Sequence, residues 1–172
     1  LMVDAVYSLS AARAIKTARA LEPYDIYFFE APVSPYDVDG LARVNAVSKI
    51  PMAGNEFAFG KFSFRELMEK RAVSFVHLDA ILCGGISEAI RIATLASSWH
   101  LPCSFHSSSS VICFAANLHA AAAISNCDSI EYHMVHRVLF DKMGEGAFQP
   151  TDGYVRVPDA PGIGINLAPD EI

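Results

Sequence analysis

Six short apolar runs recur along the chain: LMVDA at 1–5, IYFFEA at 26–31, IPMAGNE at 50–56, SFVHLD at 74–79, LPCSFH at 101–106 and SIEYHM at 129–134. Each has the length and composition of a strand buried on both faces. Between them lie longer segments with apolar positions at helical period: SAARAIKTARAL, DVDGLARVNAVS, FSFRELMEKR, SEAIRIATLASSW and VICFAANLHAAAAI. Strand and helix alternating in this way predict successive βα units around a parallel sheet. Ser10, Asp37, Ser63 and Ser87 stand where a side-chain oxygen would accept from an orphan backbone NH at a helix start, and Ser109 or Ser110 would do so for the last helix. SFRE and SPYD fit the spacing of a capping box. After Met134 the pattern breaks into a Gly- and Pro-rich stretch with one strand-like piece, YVRVP, so residues 135–172 are expected to pack as an irregular tail on a barrel-like unit of residues 1–134.

Composition narrows the function classes. The chain has 172 residues, 52% of them hydrophobic and 19% charged, enough for a sizeable core rather than disorder. Its net charge of -6 argues against a nucleic-acid binder, which needs clustered Lys and Arg to displace counterions from phosphates. No apolar run approaches the roughly 20 residues of a membrane span, and no signal-like segment leads the chain, so a cytoplasmic protein with no membrane partner is expected. Cys83, Cys103, Cys113 and Cys127 lack CxxC spacing and read as reduced thiols. The chain opens directly on a strand-like run, which reads as the interior of a longer gene.

Every strand ends on or near an ionisable residue: Asp4, Glu30, Glu56, Asp79, His106 and Glu131, at intervals of 23 to 27 residues. One βα unit of a barrel is about that long, so these side chains recur at one height and converge on the mouth at the strands' C-terminal ends. Charges at the ends of hydrophobic strands are costly unless compensated, and a shared cation would compensate them. Asp4, Glu30 and Glu56 offer three oxygen donors, which suit a hard cation such as Mg²⁺. Asp79 and His106 fall on the next two strands. A carboxylate on one ring nitrogen would fix the imidazole tautomer and favour its charged form, leaving the other nitrogen to move a proton. The serines of SFHSSSS (104–110) keep a small polar loop open beside His106, where substrate hydroxyls could bond. His77 shares strand parity with Asp79 at greater depth, His133 shares parity with Glu131, and His119 lies mid-helix; none is given a catalytic role.

In this order and spacing, MVDA, FFEAP, AGNEF, FREL, LDAILCGGISEA, SFHSSSS, IEYH and the final VPDAPGIGI resemble the C-terminal barrel domain of the enolase superfamily, mandelate racemase subgroup, over essentially the whole chain. The resemblance implies an α/β fold, a partial TIM-type (β/α) barrel made of strands three to eight. It also implies one divalent cation, usually Mg²⁺, on Asp4, Glu30 and Glu56, and removal of the proton alpha to a substrate carboxylate. His106, oriented by Asp79, would be the acid or base on one face, and Glu131 would bond the substrate carboxylate region. The substrate would be a small carboxylate or sugar acid, and a homo-oligomer would be expected. FFEAP, FREL and IEYHMVH are most similar to acid-sugar dehydratases, with a racemase or epimerase as the alternative. Val6 stands where many relatives carry Asn, Asn55 where Gly is usual, and Leu82 where Arg is common. The family's Lys base has no counterpart, because Lys16, Lys49 and Lys61 fall on or beside helices. Six of eight strands would leave two open edges, so the chain is expected to associate through them or to show an incomplete barrel, and by itself to be a metal-binding but catalytically incompetent unit.

Overall fold

The computed structural model describes residues 1–138 and 148–166. Six strands form one parallel sheet in chain order: β1 (Val3–Asp4), β2 (Phe29–Glu30), β3 (Met52–Gly54), β4 (Phe75–Leu78), β5 (Cys103–Phe105) and β6 (Cys127–Ile130). The ladders run Asp4 to Glu30, Glu30 to Ala53, Gly54 to Val76, Leu78 to Phe105 and Phe105 to Ile130, so neighbouring strands keep nearly level C-terminal ends. Outside the sheet lie α1 (Ala11–Leu21), a 3₁₀ turn (Glu22–Tyr24), α2 (Val38–Val47), α3 (Gly60–Glu69), the single turn α4 (Ala80–Cys83), α5 (Ile86–Ser97) and α6 (Val111–Ala122).

The sheet curls. Tyr27, just before β2, donates its hydroxyl to Asp128 on β6 at 2.6 Å, which a flat six-stranded sheet would forbid. The result is the partial α/β barrel expected from the alternation. Its main core lies between sheet and helices, where Phe29, Met52, Val76 and Phe105 of the strands meet Phe64, Leu67, Ile92 and Ala93 of the helices, all essentially solvent-free. Each large apolar side chain so buried contributes about 1.5–3 kcal/mol. A second small cluster, Phe28, Ala53 and Phe75, fills the concave side below the strand ends.

The hydrogen-bonded strands are shorter than the apolar runs at one or both ends: Leu1 and Met2 precede β1 and residues 26–28 precede β2, whereas Asn55 and Glu56 follow β3. β6 in particular ends at Ile130, so Glu131, Tyr132 and His133 lie beyond it. Ser10, Asp37 and Ser110 cap α1, α2 and α6, accepting from the backbone NH of Arg13, Gly40 and Cys113. Ser63 and Ser87 do not cap. α3 starts earlier, at Gly60 after Phe59, and Ser63 instead donates back to the Phe59 carbonyl. α5 starts after Gly85, whose φ of 103° favours glycine. Neither proposed capping box forms, since Ser34 accepts from Tyr36 in a local turn while Asp37 takes the cap. YVRVP is not a strand; Tyr154 only makes an isolated antiparallel bridge with Thr151. Val155, Val157, Ile163 and Ile165 nevertheless pack on Val111, Phe114 and Leu118 of α6 together with Phe148. His119 reaches the Ile163 carbonyl at 3.3 Å, a packing role. The parts of the expected tail at 139–147 and 167–172 lie outside the described residues. Among the described residues no helix is long and apolar enough to cross a membrane.

Candidate active site

A cavity of about 460 Å³ opens at the strands' C-terminal ends, lined by Asp4, Glu30, Glu56, Asp79, His106 and Glu131 together with Val6, Tyr7, Phe57, Ile81, Leu82, Ser108, Ser109 and His133. All six ionisable residues marked in the sequence therefore meet in one space, as near-level parallel strands require. No Lys or Arg is among the lining residues.

Asp4 ends β1 at the rim, where its Oδ1 accepts from the backbone NH of Val6 at 2.7 Å. Partial burial pushes its carboxyl above the usual aspartate range against that hydrogen bond, helped by the negative charges of Glu30, Glu56 and Glu131. Beyond it Val6 and Tyr7 take positive φ values of 46° and 58°, a turn that swings the Tyr7 phenol inward to donate to Glu56. Burial, the Glu56 charge and that hydrogen bond push the phenol well above its ordinary pKa.

Glu30 ends β2, and Glu56 follows β3 by two residues and is 5% exposed. Below them His77 of β4, 2% exposed, brings Nδ1 to 3.1 Å from Glu30 Oε1 and 4.0 Å from Glu56 Oε2. Glu30, Glu56 and His77 each offer a donor atom within 4.8 Å of the others, whereas Asp4 stands outside that closest group.

On the other side of the cavity, His106 Nδ1 lies 2.8 Å from Asp79 Oδ2. Asp79 follows β4 and caps α4, accepting from Ile81 NH at 2.8 Å. Burial disfavours the Asp79 charge, yet the hydrogen bonds from His106 and Ile81 and the His106 charge prevail and hold its carboxyl below the usual range. For His106 burial likewise opposes charge, but the Asp79 hydrogen bond and the Glu131 and Glu56 charges outweigh it and raise its pKa. Glu131 accepts from Ser107 NH at 2.9 Å, and its Oε2 is 3.9 Å from His106 Nε2.

Behind this pair stands Asn117 of α6, fully buried. Its Oδ1 accepts from Ala80 NH at 2.7 Å and its Nδ2 donates to the His106 carbonyl at 2.8 Å, so one side chain ties the residue after Asp79 to His106 itself. Cys113, one helical turn earlier, points its thiol at the Asp79 carboxylate at 3.6 Å. Sequence reasoning passed over Asn117, Tyr7 and the depth-matched contact of His77. Asn117 was visible only as a polar residue inside an otherwise apolar helix, and His77 as a strand neighbour of Asp79 two residues earlier.

The curled parallel sheet carries carboxylates at one side of its mouth and a His–Asp pair at the other. The chain belongs to the enolase C-terminal domain-like family, which it matches over residues 1–171. It is 36% identical over 165 residues to the arabinonate dehydratase of Saccharolobus solfataricus, covering 96% of this chain and 44% of that protein. It is 32% identical over 169 residues to the D-xylonate dehydratase of Haloferax volcanii, covering 98% and 41%. Among solved structures, the 3,6-anhydro-D-galactonate cycloisomerase of Zobellia galactanivorans superposes with a TM-score of 0.92 at 31% identity, covering 99% of this chain and 48% of that one. The chain thus spans under half the length of these relatives.

Proposed function

We propose that the whole protein is an acid-sugar dehydratase dependent on a divalent cation, in which this chain supplies the cation ligands and one of the two acid/base groups. The observation that carries the reading is the Asp79–His106 pair at 2.8 Å, sharing one cavity with Glu30 and Glu56. Relatives named as arabinonate and D-xylonate dehydratases support the substrate class.

The residues present suit a cation. Several carboxylates crowd a cavity whose described lining has no basic side chain except imidazole, and the Asp4 carboxyl is raised by burial and, to a lesser degree, by its neighbours' charge. Asp4, Glu30 and Glu56 would hold the ion, and their oxygen chemistry suits Mg²⁺. When bound, the cation supplies stabilisation of the negative charge that develops on the substrate carboxylate as the alpha proton leaves, a charge side-chain groups alone would not sustain.

The chain's own residues then divide the remaining work. Asp79 occupies His106 Nδ1, so the tautomer is fixed and Nε2 is left to exchange a proton with substrate. The Asp79 hydrogen bond and the Glu131 and Glu56 charges raise the His106 pKa against the effect of burial and so favour the protonated ring, which can give its Nε2 proton to the departing beta hydroxyl as general acid. Glu131, braced by Ser107 NH and close to Nε2, orients the substrate carboxylate region. Ser108 and Ser109 offer hydroxyls along the same wall. Among the described residues no lysine lines the cavity, and the chain alone is proposed to bind cation without turning substrate over.

Incubating the whole protein with a panel of acid sugars and Mg²⁺ tests this reading. A 2-keto-3-deoxy product supports dehydration; an inverted alpha centre with no keto product assigns a racemase or epimerase instead.

A further inference from the structure

His77 is the buried group that the proposed reaction leaves without a task. It is 2% exposed, and a polar nitrogen so enclosed is expected to have a partner. Its Nδ1 lies 3.1 Å from Glu30 Oε1 yet makes no hydrogen bond among the described residues. The nitrogen is instead set between Glu30 and Glu56, from which it is 3.1 and 4.0 Å away.

Those separations suit donors around one ion. In a six-coordinate shell with bonds of about 2.1 Å, adjacent donors stand about 3 Å apart and opposite ones about 4.2 Å. Glu30, Glu56 and His77 place one donor atom each within 4.8 Å of one another. His77 approaches from the buried side of the barrel, Asp4 from the rim.

We propose that His77 Nδ1 is a nitrogen ligand to the cation held by Glu30 and Glu56, making a mixed nitrogen and oxygen site that takes a first-row transition cation such as Mn²⁺ or Co²⁺ more tightly than Mg²⁺. The inference rests on the cation reading above and sharpens it. Imidazole is a poor ligand for Mg²⁺ and a good one for later divalent metals, so a nitrogen donor steepens selectivity that an all-oxygen cage would leave shallow. His77 acts here as a neutral imidazole with its proton on Nε2.

The alternative role, a histidine that only orients Glu30, is separable. An orienting residue would affect all cations alike, whereas a ligand affects nitrogen-preferring ones selectively. The test loads the full chain with Mn²⁺ and records electron spin-echo modulation, then titrates Co²⁺ and Mg²⁺ into the unaltered protein, His77→Gln and His106→Gln. The expected result is a coordinated-imidazole ¹⁴N signal in the unaltered protein and in His106→Gln but absent from His77→Gln. The Co²⁺ over Mg²⁺ preference should fall about tenfold or more in His77→Gln. Tight Mn²⁺ binding with no ¹⁴N signal, or with a signal that persists in His77→Gln, overturns the nitrogen ligand and leaves the cation reading standing. Absence of binding by any of the three cations at millimolar concentration overturns both. If His77→Gln fails to fold, absence of the signal from the unaltered protein still overturns the nitrogen ligand, and persistence of the signal in both His106→Gln and His133→Gln supports it.

Discussion

Asn117 bridges the two strands that carry the acid/base pair: it accepts from Ala80 NH, next to Asp79, and donates to the carbonyl of His106. A buried amide satisfied at both ends fixes the spacing of Asp79 and His106 through backbone rather than through the reacting side chains. Asn117→Leu keeps the volume but leaves a buried NH and a buried carbonyl unpaired. At about 1–3 kcal/mol for each of the two orphaned groups, the variant should lose roughly 2–6 kcal/mol of stability by urea denaturation. In the whole protein it should also lower kcat more than it raises KM, because Asn117 does not line the cavity.

Replacing Asp79 by Asn should lower the pKa of His106, measured by NMR titration of its ring protons. The sign follows from the balance at His106, where burial alone would depress the pKa and the Asp79 hydrogen bond is the largest opposing effect. His106, raised in the folded state, stabilises the fold below its unfolded pKa, and that contribution disappears as pH rises through its folded pKa. Asp79, lowered in the folded state, stabilises above its unfolded pKa, and that contribution disappears as pH falls through its folded pKa. The pair therefore contributes most between roughly pH 4 and pH 6.5, and Asp79→Asn should flatten the stability profile on both flanks.

Glu56→Gln should weaken divalent-cation binding by about tenfold or more, read by calorimetric titration, since it removes one anionic oxygen from a set tuned by ligand charge. It should also relieve Asp4, whose carboxyl is raised partly by the Glu56 charge. Unchanged cation affinity would remove Glu56 from the ligand set.

The serines separate true helix starts from apparent ones. Ser110→Ala should cost about 1 kcal/mol, because its hydroxyl accepts from Cys113 NH at the start of α6. Ser87→Ala, in the first turn of α5 but making no capping hydrogen bond, should cost under about 0.5 kcal/mol by the same denaturation assay.

These contrasts mark what was legible in the chain. The six strand ends could be read because period and spacing are properties of the chain itself: a buried strand is a continuous apolar run, and one βα unit has a fixed length. Asp79 and His106 could be paired because adjacent βα units make adjacent strands. What could not be read depends on where long segments return. Tyr7 reaches Glu56 only through a turn at two non-glycine residues with positive φ, which no propensity favours. Ser63 and Ser87 looked like caps because capping is a local signal, yet the helix starts were set by Phe59 and Gly85. His77 against Glu30 spans two strand intervals and depends on the curl of the sheet, so its depth was visible and its partner was not.

The account turns on His106 as the proton donor to a departing beta hydroxyl. The most direct measurement is proton NMR of a five- or six-carbon aldonate incubated in D₂O with the whole protein and Mg²⁺, beside the His106→Asn variant. The account predicts a 2-keto-3-deoxy acid carrying deuterium at C3, formed by the unaltered protein and at least about a hundredfold more slowly by the variant. Recovery of the starting acid with an inverted C2 centre, or an undiminished rate in His106→Asn, would contradict it.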